Sequence, residues 1–218
     1  MVFVDYLAFG LLSISIVSLL ILYLTVGTYL RYRETGDSNL ENSLKEGIVP
    51  IAIFGAVIFI MGLYSDMIWP LQISTTNVAA AKAFAGYNIL FFDPLLLMGI
   101  VVIAFALNIR FGYKMQNFGI LALYSGIVSV YYGYQGYSLG MSNEPIALLL
   151  MYVAFGAVGI LAYPITVLID HIQTTSKPAM RGWAVILLVL FWIAVIGAIA
   201  SSGYIGFSAV GSHMASAP

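Results

Sequence analysis

Long apolar runs separated by short charged connections constrain this chain more than any other feature. Six of the runs, roughly 4–30, 48–68, 94–113, 117–138, 145–169 and 182–204, are expected to be helices that each cross a membrane. Each is near the ~20 residues needed to span a hydrocarbon slab about 30 Å thick. Composition agrees, with 62% hydrophobic and only 8% charged residues where a soluble domain carries about 25% charged. The runs are continuous rather than alternating, which excludes a membrane barrel. The expected fold class is all-α: a polytopic membrane protein, residues 1–218 forming one bundle of six transmembrane helices.

The stretch 87–114, YNILFFDPLLLMGIVVIAFALNIRFGYK, holds the marks of a complete span. Asp93 precedes Pro94, as an N-cap acid precedes a proline at the first helical position. Arg110 and Lys114 close the other end. With six spans, an outer N-terminus puts Arg31, Arg33, Lys45, Arg110, Lys114, Lys177 and Arg181 on the cytoplasmic side. Only Lys82 of the 8 basic residues falls outside. This satisfies the positive-inside rule and places both termini outside. The location is a cell (plasma) membrane.

The connections carry their own signals. In 31–47, RYRETGDSNLENSLKEG, Ser38 and Glu41 form a capping box, and Leu40 and Leu44 share one face of a short amphipathic helix. The outer connection is too apolar to be a solvated loop, and residues 70–92 are expected to lie on the bundle as an interfacial or re-entrant segment. Pro164 should kink the fifth span. Small residues at every fourth position (Ala194, Ala198 and Ser202, and likewise Gly136 and Gly140) suit close helix packing. Span six is therefore the expected contact for a homo-oligomer or for other membrane subunits.

The segments YNILFFDPLLL, YYGYQGYSLG and ILAYPITVLID together resemble an uncharacterised family of small archaeal multi-pass membrane proteins. The resemblance covers about residues 45–175. It implies a multi-pass fold and no established activity, so it assigns no role to any residue.

Chemistry is constrained mainly by what is missing from the sequence. With no cysteine, thiol chemistry and thiolate metal sites are unavailable. No ionisable residue falls near the middle of an expected span, where such groups mark proton and ion pathways. The two histidines, His171 and His213, fall on opposite sides of the membrane and cannot share a haem or a metal. A net charge of −1 gives no nucleic-acid signature. No serine has a base beside it, and no catalytic or phosphate-binding motif is found. We expect no metal, no cofactor and no catalytic residue.

The outer surface is richer. Asp66, Asn88, Asp93 and Glu144 should share one depth there, and Tyr124, Tyr131, Gln135 and Ser138 follow one face of span four. Together they could line a tyrosine-rich, weakly anionic pocket. The plainer reading makes the acids helix starts and the tyrosines an interfacial belt. The preferred function is a non-catalytic integral membrane protein serving as subunit or scaffold of a larger membrane complex in the lipid bilayer. The alternatives are a channel or facilitator for a small uncharged or weakly cationic solute, and a quinone-handling module.

Overall fold

The computed structural model describes residues 5–36, 40–68, 78–142, 144–174 and 182–216. Among them are seven helices and no strand: α1 (Tyr6–Thr35), α2 (Leu40–Lys45), α3 (Ile48–Ile68), α4 (Val78–Phe111), α5 (Met115–Ser138), α6 (Pro145–Thr174) and α7 (Gly182–Ser216). Five of them (α1, α3, α4, α6 and α7) are long and apolar enough to cross a membrane. The 24-residue α5 has the length, but tyrosine, serine and glycine dilute its apolar residues.

Local chemistry sets the helix ends. Asp5 Oδ1 accepts the Ala8 N–H at 3.0 Å and caps α1, which closes at Gly36 with φ 68°. Leu40 and Leu44, both buried, fasten α2 against the bundle as their shared face implied. Asp170, near the end of α6, accepts the N–H groups of Met115 and Gln116 at 2.9 Å each. It thereby caps α5 from another helix.

Consecutive long helices run antiparallel, and glycines set how closely they approach. A Cβ on Gly62 would meet the Leu96 nitrogen at 2.5 Å, and one on Gly99 would meet the Phe59 nitrogen at 2.4 Å, so α3 and α4 touch backbone to backbone. Between α5 and α6 the contact is mutual. A Cβ on Gly126 would meet the Gly156 carbonyl at 2.7 Å, and one on Gly159 the Ala122 carbonyl at 2.5 Å. The first and last long helices are joined by Ser15 Oγ donating to the Ile199 carbonyl at 3.2 Å and Trp192 Nε1 donating to Thr25 Oγ1 at 3.1 Å. The chain thus gathers its polar groups at two ends. One holds Arg31, Arg33, Lys45, Arg110 and Lys114; the other holds Tyr6 against Tyr64, and the α5–α6 connection.

Several expectations need correcting. Asp93 and Pro94 do not begin a helix: α4 starts at Val78 and runs through both. Residues 78–92, expected as a separate interfacial segment, are the first half of that helix, and 70–77 lie outside the described residues. The sequence cue misled because Pro94 is accommodated from outside the helix. Its missing N–H frees the Leu90 carbonyl, and the hydroxyl of Tyr152 on α6 donates to that carbonyl instead. Helix α7 also continues to Ser216, beyond the expected end at 204. Ser38, Lys177 and Arg181, and the side chains of Glu41 and Lys82, lie outside the described residues.

Candidate functional site

The Pro94 irregularity organises a polar cluster. Asp93 precedes the proline on α4 and accepts a hydrogen bond from the Tyr132 hydroxyl of α5 at 2.8 Å. Asp66, near the end of α3, lies close enough to Asp93 for the two carboxyls to interact. Two carboxyl groups this close are stable only when a proton, a cation or a donor such as Tyr132 offsets their like charge. Asn88, on α4, donates from Nδ2 to the Ser65 carbonyl at 3.3 Å and ties α3 to α4 beside the pair. Asp66 Oδ1 and Ser65 Oγ are buried with no hydrogen-bond partner. The cluster therefore has unused accepting capacity on elements that are otherwise tightly packed.

Asp93 lies inside α4 rather than at its start, level with Asp66 near the end of α3. Tyr132 and the end of α3 supply its carboxyl group with polar neighbours.

Of the expected site residues, Asp66, Asn88 and Asp93 come together. Tyr124 and Tyr131 do not join them: they are 64% and 60% exposed and face away from the bundle. Glu144 is exposed beside Pro145, which begins α6 as read from sequence. Gln135 is half-buried on α5, and its carbonyl accepts the Ser138 hydroxyl at 3.1 Å. The tyrosines that reach the cluster are Tyr132 and Tyr152. The signal for Tyr132 was the register of Gly119, Ala122, Gly126, Ser129, Gly133 and Gly136, the buried face of α5. Tyr132 lies four residues before Gly136 and so shares that face, whereas Tyr124 and Tyr131 lie opposite it.

The small-residue positions divide similarly. Gly136 is buried, and a Cβ there would meet Leu90 at 2.9 Å and Leu148 at 3.0 Å. Gly140, expected on the same packing stripe, instead lies beyond the end of α5, with φ 63° and nothing within 4 Å of an added Cβ. Its role is to turn the chain. Ala198 and Ser202 are buried within the chain itself, and Ala194 is half-buried, so this stripe is already covered. His171 and residue 213 lie on helix ends at opposite ends of the bundle. Among the described residues no group of three or more His, Cys, Asp or Glu converges as a metal site would. The Asp66–Asp93 pair supplies two carboxyls only.

Next to the cluster lies an interior cavity of about 140 Å³, lined mainly by α1, α4, α5 and α6. Tyr152 belongs to both: its hydroxyl holds the Leu90 carbonyl, and the residue also lines the cavity. The family model described as "Protein of unknown function (DUF981)" matches residues 1–216. The chain belongs to this family. No curated protein and no solved structure matches it. The uncharacterised family agrees with the resemblance read from sequence, and the five long apolar helices among the described residues agree with its multi-pass character.

Proposed function

We propose that the chain is a six-span, non-catalytic protein of the cell membrane, with both termini outside. It admits a small uncharged or weakly cationic solute through the end that carries Asp66, Asp93 and Tyr132. Tyr152 carries this reading, because it makes the polar cluster and the interior cavity neighbours. The cluster offers acceptors to a donor-bearing or weakly cationic group, and the cavity offers room for its body.

Two further observations support the topology. Helices α4 and α6 are both apolar enough to span, and α5 returns the chain between them. Its 24 residues extend about 36 Å, enough for the hydrocarbon slab. Arg31, Arg33, Lys45, Arg110 and Lys114 gather at the end opposite the cluster, which favours that end as the cytoplasmic one. The subunit or scaffold reading ranks second, since the α7 stripe that motivated it is covered by the chain itself. A quinone-handling role would show as quinone in a lipid extract of native material.

The test is solute flux into liposomes carrying the purified protein, with methylamine, benzylamine and glycerol as probes. Wild-type vesicles are expected to exceed empty ones for at least one probe. Asp93→Asn and Tyr132→Phe should each lower that flux about tenfold, the equivalent of one hydrogen bond to a charged group. Flux no greater than in empty vesicles, or unchanged in both variants, contradicts the reading.

A further inference from the structure

The walls of the interior cavity are almost wholly apolar. Phe92 and Met98 of α4, Phe118 of α5, and Met151 and Phe155 of α6 contribute to them. Aromatic rings and thioethers make an adaptable surface well suited to a flat apolar guest. The volume of about 140 Å³ is close to the ~150 Å³ at which an apolar cavity stays free of water and takes up benzene. The hydroxyls of Thr25, Ser129, Tyr152 and Thr166 in the lining all bond to carbonyls of the chain, whereas Ser125 lines the cavity from α5 with its Oγ buried and no hydrogen-bond partner. An unpaired buried hydroxyl is unfavourable, and no group of the walls pairs with this one.

We propose that this cavity binds a compact, uncharged molecule about the size of one aromatic ring, with a single hydrogen-bonding group that pairs with Ser125. Ring and hydroxyl are recognised separately, by the apolar walls and by the unpaired oxygen. The inference deepens the facilitator reading by specifying the body of the solute. It rests on that reading only for the route of entry, because occupancy can be measured without transport.

The experiment uses the full chain in lipid nanodiscs and a small aryl diazirine as photolabel, with labelled residues mapped by mass spectrometry. In the wild type, residues around the cavity should label saturably and be competed by phenol. Lipid-facing Tyr124 and Ile127 should label in proportion to probe concentration, without saturation. Ser125→Leu fills the space, and the interior yield should fall about tenfold or more while the lipid-facing yield is unchanged. If that variant does not fold, Ala122→Leu fills the same cavity from a neighbouring turn. Ser125→Ala should retain interior labelling but weaken competition by phenol about tenfold while leaving competition by toluene unchanged.

Interior labelling that is absent, that never saturates, or that survives the filling substitution overturns the site. Equal loss of phenol and toluene competition in Ser125→Ala overturns the role of the hydroxyl. Saturable interior labelling in a protein that transports nothing upholds the site and rejects only the transport reading.

Discussion

Pro94 has no N–H to give, and Leu90 is the residue whose carbonyl would have received it. The hydroxyl of Tyr152 replaces that donor from another helix, which gives this tyrosine a measurable structural role. Tyr152→Phe should lower stability by about 1–3 kcal/mol, the range for leaving a buried carbonyl unpaired. In a Pro94→Ala background the helix regains its own N–H, so most of that loss should vanish. Denaturant unfolding of the four proteins in one detergent measures the coupling. Strict additivity would show that Tyr152 does not act through the Leu90 carbonyl. At this scale the sequence was informative about which residues are unusual and less so about their roles. Asp93-Pro94 read as a helix start because local chemistry alone favours it there, and a donor 62 positions away reverses that preference. Tyr131 and Tyr132 are adjacent, and only the helical register decides which of them meets Asp93.

Among the elements, α5 and α6 depend most on small residues. Gly126 and Gly159 each occupy the space where the other helix's backbone passes, so neither has room for a methyl group. Gly126→Ala should cost about 1–3 kcal/mol through forced separation of the two helices. Gly27→Ala, in α1, where nothing lies within 4 Å of the added carbon, should be neutral or stabilising by about 0.5–1 kcal/mol. Thermal unfolding of the two variants side by side separates a packing glycine from a merely helical one. Equal effects would contradict the close crossing. The seven-residue recurrence Gly119, Gly126, Gly133 was present in the sequence, but isolated pairs of small residues do not reveal which helix they face. The α7 stripe shows this, since Ala198 and Ser202 are covered by the chain's own helices.

For the whole molecule, apolar run length and charge placement made the helical, membrane-like architecture legible, because both follow directly from the solvent a helix must face. The interior was less legible. A cavity is a shortfall of side-chain volume among four helices, and no periodicity within one helix encodes it. The polar cluster has the same origin: its members come from α3, α4, α5 and α6, and they meet only once the antiparallel order is set. The account depends above all on α5 crossing the membrane, since that crossing puts the acid and tyrosine end opposite the arginine-bearing end. The chain has no cysteine of its own, so single introduced cysteines report cleanly on sidedness. Tyr113→Cys and Leu139→Cys flank α5 at exposed positions, and an impermeant maleimide applied to intact cells reads both. Six crossings predict rapid labelling at 139, with labelling at 113 only after the cells are made permeable. Labelling of both positions from the same side would contradict the account.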